Sequence, residues 1–177
     1  MIFLISNQQQ IQSEDFQVCD LNFCIEYIKT LKEIGLDIET TRKYNKYFDI
    51  EGLDPYTSNI VMLQVGDLDC QFIIDTRTID AKPVIETILE NNITIIGHNL
   101  AFEYSHILHN YHLCLKNMYD TMLVEKIIYN GIYQAMSLKN LIERYLKISV
   151  NKETRLEFLD IGSKPFTISQ IIYGAED

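Results

Sequence analysis

Apolar and polar residues alternate through Ile34-Gly35-Leu36-Asp37-Ile38-Glu39-Thr40-Thr41, and that period of two predicts a strand. Its polar face carries two carboxylates, because Asp37 and Glu39 lie two residues apart and project the same way. Met1 to Ser6 is a shorter apolar run that predicts a strand, and the polar residues through Asp15 read as a loop. Leu21, Ile25, Ile28 and Leu31 recur at helical spacing and predict an amphipathic helix that ends before the acidic strand. Thr41 to Pro55 is polar and aromatic, a loop in which Arg42, Lys43 and Lys46 are either solvated or steer phosphate. Asn59 to Gly66 and Cys70 to Asp75 flank the turn Gly66-Asp67-Leu68-Asp69 and predict a hairpin. With the acidic strand just upstream, three strands form an antiparallel meander. Pro83 to Glu90 predicts a short helix, with proline in the first turn where its missing N–H costs little. The nearly all-apolar Ile93-Thr94-Ile95-Ile96-Gly97 predicts a strand buried on both faces, parallel to the first strand of the meander.

Helical patterning resumes at His98-Asn99-Leu100-Ala101-Phe102-Glu103 and continues to about His112. Asn99 and Glu103 are four apart and share a face near the helix start. Asp120 is a ready N-cap for a helix through Ile128, and Ser137 starts another through Leu146. The final stretch from Thr167 is helical, with Tyr173 and Asp177 again four apart. A single α/β domain over residues 1–177 follows: a mixed sheet, antiparallel meander plus parallel strand, flanked by helices.

Composition narrows the function. A chain of 177 residues with 47% hydrophobic content can bury a full core. Its net charge of −10 argues against coating nucleic acid through a broad basic surface, but leaves room for an enzyme acting on a strand end through bound cations. Cys19, Cys24, Cys70 and Cys114 lack paired spacing and read as buried thiols of a reducing cytoplasm. The N-terminus is neither a signal peptide nor a membrane span.

Two carboxylates on one buried strand face raise each other's pKa and destabilise the fold unless a cation neutralises them. The alternative is an edge strand with a solvated acidic face. Oxygen donors without neighbouring His or Cys suit Mg²⁺ or Mn²⁺ better than zinc. His106, His109 and His112 do not suggest a metal site, since three-residue steps rotate successive side chains by about 60° and fan them apart. For His98, a hydrogen bond at a helix start is the expected use.

Asp37-Ile38-Glu39 on a strand, Asn99 through Glu103 at a strand-to-helix junction and Tyr173 through Asp177 on a final helix resemble, in that order, the DEDD superfamily of 3′–5′ exonucleases. Within its tyrosine-containing branch the chain looks most like the proofreading domain of family A DNA polymerases, with RNase D more distant. The resemblance runs from about Ile34 to the end of the chain. It implies an RNase H-like fold and two divalent cations, Mg²⁺ or Mn²⁺, held by Asp37, Glu39, Glu103 and Asp177. Tyr173 would orient the attacking water, while Thr40, Asn99 and Phe102 would contact the terminal nucleotide. The implied reaction releases nucleoside 5′-monophosphates from single-stranded or frayed DNA 3′ ends, with a polymerase portion supplied in cis or in trans, in the cytoplasm of a bacterium or phage-infected cell.

The pattern departs in two places. Glu103 stands where the family usually has Asp, which moves the carboxylate outward by about 1.5 Å. Asp177 is both the last motif residue and the last residue, which suggests a truncated or split domain. RNA 3′-end processing of the RNase D kind, and a catalytically weakened nucleic-acid-binding module, are the alternatives.

Overall fold

The acidic strand sits near the middle of a seven-stranded mixed sheet with helices on both faces. The structure is a computed structural model that describes residues 1–8, 12–43, 52–149 and 153–176. In chain order the strands are β1 (Ile2–Ile5), β2 (Gln17–Val18), β3 (Glu33–Arg42), β4 (Ser58–Gly66), β5 (Gln71–Asp75), β6 (Thr94–Gly97) and β7 (Met118–Asp120). The helices are α1 (Leu21–Ile28), α2 (Lys82–Glu90), α3 (Ala101–Tyr111), α4 (Thr121–Ile128), α5 (Leu138–Tyr145) and α6 (Ile168–Glu176), with a 3-10 helix at Glu153–Phe158. Strand order is β2-β1-β5-β4-β3-β6-β7. The expected meander is β3-β4-β5, antiparallel throughout, and β6 runs parallel to β3 as its apolar sequence predicts. The short strands β2 and β7, parallel additions at the two edges, have no apolar run to announce them.

Strand alternation separates two cores. Leu36, Ile38, Leu63, Val65, Phe72 and Ile74 pack with α1, α2 and α3, whereas Leu4, Met62 and Ile73 pack with Phe158, Phe166 and α6. Asp37 pairs with Gln64 and Glu39 with Met62 across β3 and β4, so both acids lie on the face covered by α6.

Several polar contacts tie residues 159–166 to the sheet. Arg42 meets Asp160 with two bonds of 2.8 and 2.6 Å, and the Thr41 hydroxyl donates to the Leu159 carbonyl at 2.7 Å. Arg42 is therefore committed to an ion pair, not simply solvated. Lys43 donates to the Tyr56 carbonyl at 3.4 Å, and Lys46 falls outside the described residues. Deeper in, Arg77 donates to both oxygens of the fully buried Asp75 at 2.7 and 3.0 Å and to the carbonyls of Gly162 and Lys164. Its guanidinium lies 4.3 Å from the centre of the Phe166 ring.

The four thiols are free, but only Cys24 and Cys70 are buried; Cys19 is half-buried and Cys114 exposed. His106 is buried, with Nδ1 3.0 Å from the Phe102 carbonyl and Nε2 2.9 Å from the Ser58 hydroxyl, a structural use. Burial lowers its pKa. Among the described residues no helix is long and apolar enough to cross a membrane.

Candidate active site

A cleft of about 930 Å³ opens beside the middle of β3, where β6 ends and α3 begins, a size suited to a small ligand or a strand terminus. Asp37, Glu39, Asn99, Phe102 and Glu103 line it, joined by Gln64 from β4, His98, the start of α4, the start of α5, and Gly174 to Glu176 of α6. Asp37 and Glu39 of one strand thus share the cleft with Glu103, distant in sequence.

Glu103 is the most constrained of them. It is 3% exposed, and its Oε2 has no hydrogen-bond partner. Burial, and then the negative charge of neighbouring Asp37, push its pKa up to about 9. At neutral pH without a cation the carboxyl therefore keeps its proton and can donate it to Asp37. A buried acid beside another acid, with an oxygen left unbonded, fits a hard divalent cation. Among the described residues no three His, Cys, Asp or Glu side chains close into a ready ligand cluster; Asp177, the fourth expected ligand, lies outside those residues.

The junction that aims Glu103 is built around Asp120. Its Oδ1 accepts from the backbone N–H groups of Asn99 at 3.0 Å, Met122 at 2.9 Å and Leu123 at 3.2 Å, and its Oδ2 from that of Leu100 at 2.9 Å. The sequence shows the cap on α4; the reach across to α3 needs β7 beside β6. Asn99 adopts a φ of 64° there, in the left-handed region that asparagine tolerates. Replacing Asp120 with alanine leaves four backbone donors without their acceptor, and we expect a loss of about 3 kcal/mol of folding stability. Urea denaturation checks this. The same substitution should lower turnover, because the helix carrying Glu103 loses its anchor.

His98 serves a helix start, as expected. Thr121 donates to the Gly97 carbonyl at 3.0 Å, so its single hydroxyl proton is used and His98 Nδ1, also 3.0 Å away, is the donor to Thr121.

Thr40 and Tyr173 are both largely buried. Thr40 follows Glu39 and so turns to the opposite face of β3, where its buried hydroxyl donates to the Gly52 carbonyl at 2.8 Å. Tyr173 is 7% exposed and packs in the second core, its ring 6.2 Å from that of Phe158, while the neighbouring Gly174, Ala175 and Glu176 form the cleft wall. Gln64, outside the acidic motifs, is a further cleft residue. Its signal was a polar amide inside an apolar strand.

A mixed seven-stranded sheet flanked by helices is the fold of RNase H-like exonucleases, and solved structures of that class superpose on this chain. The catalytic core of RRP6 from Trypanosoma brucei matches with a TM-score of 0.74 at 15% identity, covering 99% of this chain and 42% of that one. Escherichia coli RNase D, an exoribonuclease involved in structured RNA processing, matches with a TM-score of 0.70 at 22% identity, covering 97% and 41%. Brucella melitensis NrnC with bound Mg²⁺ matches with a TM-score of 0.69 at 16% identity, covering 99% and 74%. The chain thus spans about two fifths of the first two. No curated protein matches it. The family described as 3′–5′ exonuclease matches residues 17–177, and the chain belongs to it.

Proposed function

We propose that this exonuclease removes nucleoside 5′-monophosphates from the 3′ ends of single-stranded or frayed DNA, with two Mg²⁺ or Mn²⁺ ions, in support of a DNA polymerase's fidelity. The observation that carries the cation requirement is Glu103, buried beside Asp37 with one oxygen unbonded. Asp37, Glu39 and Glu103 would hold the cations, and by the family resemblance Asp177 would complete the set. When bound, such cations neutralise charge on the entering and leaving oxygens of a phosphodiester. Asn99 and Phe102 line the cleft and would contact the terminal nucleotide. The Phe102 ring is braced against His106 with centroids 4.2 Å apart, which limits its freedom. By the same resemblance Tyr173 would orient the attacking water.

The preference for DNA rests on the likeness to polymerase-linked domains. RNA 3′-end processing is the second reading, favoured by the fold shared with RNase D and RRP6. Turnover of matched single-stranded DNA and RNA with Mg²⁺ or Mn²⁺ separates the two, with Asp37→Ala as the control. Faster DNA degradation, abolished by Asp37→Ala, is the expected result. A preference for RNA would replace the first reading by the second, and equal nuclease activity in wild type and Asp37→Ala would reject both. Strand binding without turnover would identify a weakened binding module.

A further inference from the structure

Gln64 stands opposite Asp37 in the β3–β4 pairing, on the face that α6 covers. It is 4% exposed and lines the cleft beside Asp37, Glu39 and Glu103. Neither its Oε1 nor its Nε2 has a hydrogen-bond partner. Buried amides nearly always have one, because an unmet donor or acceptor forfeits its hydration without return. The neighbouring Met62, Leu63 and Val65 are buried and apolar, so an apolar residue at position 64 would suit the strand better than an unbonded amide. The contact with α6 leaves little room for the amide to swing away. A Cβ added to Gly174 would sit 3.2 Å from Gln64 Nε2, 3.3 Å from its Cγ and 2.7 Å from Met62 Sδ.

From this geometry we infer that Gln64 is a positioning residue of the cation site, bonded when the site is loaded. Its Nε2 donates to the Asp37 carboxylate across the strand pair, and its Oε1 accepts from water held by the cation. Directly opposed side chains in an antiparallel pair have Cβ atoms about 5 Å apart, within reach of both groups. The role deepens the cation-dependent reading above and rests on it. It also gives a reason for glycine at 174, since a side chain there would displace the amide.

Near-isosteric Gln64→Met, with Gln64→Leu as a second apolar replacement, tests this in the intact chain. Mn²⁺ titrations followed by calorimetry give affinity, and unfolding in EDTA gives stability without cation. The expected result is Mn²⁺ affinity weakened by about 10- to 100-fold, the usual consequence of removing a group that orients a ligand, with stability in EDTA unchanged or raised. That opposition distinguishes positioning from packing. If the wild-type chain binds Mn²⁺ and both variants match its affinity, the role of Gln64 is overturned while the cation site stands. If wild type itself binds no Mn²⁺, the cation-dependent reading falls and this inference with it. Raised KM for the strand with unchanged Mn²⁺ affinity would place Gln64 on the nucleic acid and overturn the inference too.

Discussion

Glu103→Gln should abolish measurable turnover and at the same time make the cation-free protein more stable above neutral pH. Both effects come from one carboxyl. Loss of a cation ligand removes several kcal/mol of charge stabilisation in the transition state, a fall of about 10³-fold or more in rate. The stability effect follows from the pKa near 9, raised from 4.5 by burial and by Asp37. Between these values the unfolded chain has released the proton and the folded chain has not, so folding stability falls as pH rises through the window. Above about pH 9 both states are ionised and the penalty is complete. Glutamine has no proton to lose, so the difference between variant and wild type should grow with pH across that range.

His106 acts in the other direction, which decides where to measure. Its lowered pKa means that the unfolded chain takes up a proton first as pH falls, so its contribution is lost below about pH 6.5. Unfolding of wild type and Glu103→Gln in EDTA at pH 7 and pH 9 therefore avoids His106. The thiols of Cys19 and Cys24, raised by burial in both proteins, cancel in the difference. Saturating Mn²⁺ should erase the wild-type deficit by holding the carboxylate ionised, with little effect on the variant. A wild type whose stability relative to Glu103→Gln does not change with pH would remove the strained carboxyl from the account.

Local periodicity was enough to read the central sheet. Alternation in β3, the near-continuous apolar run of β6 and the turn between β4 and β5 each specify their own strand, and the observed pairing follows. For the acids the sequence offers spacing and a family resemblance, and the fold sets Asp37 and Glu103 beside one another at the cleft. Side chains whose role depends on partners distant in sequence were harder to read. Thr40 belongs to the same run as Asp37 and Glu39, yet alternation sends it to Gly52 on the other face. Nothing local to Asp120 shows that it also holds Asn99 and Leu100, because that reach exists only after β7 joins β6. Gln64 reads as an oddity in a strand until register sets it opposite Asp37.

Arg77→Ala should be the most destabilising single change outside the cleft, by about 3–5 kcal/mol, because it strands a buried charge. Asp75 is fully buried and receives two bonds from the guanidinium, one from the Arg77 backbone N–H at 3.2 Å and one from the Ser6 hydroxyl at 3.0 Å. Such a loss is a large part of the total stability of an ordinary domain, about 5–15 kcal/mol. Arg77→Lys keeps a charge but not the planar fork that serves Asp75 and two carbonyls together, so an intermediate loss is expected. Removing both charges in Asp75→Leu with Arg77→Met should recover much of the stability, since an apolar pair leaves no unpaired ion. It should not recover the anchoring of residues 162–166, which depends on the Arg77 bonds to Gly162 and Lys164 and on its contact with Phe166. That segment leads into α6, whose last residues form one wall of the cleft. Urea denaturation and limited proteolysis distinguish the two contributions: the double variant should resemble wild type in the first and the single variant in the second. If Arg77→Ala unfolds at the same urea concentration as wild type, the ion pair does not hold this face of the sheet together.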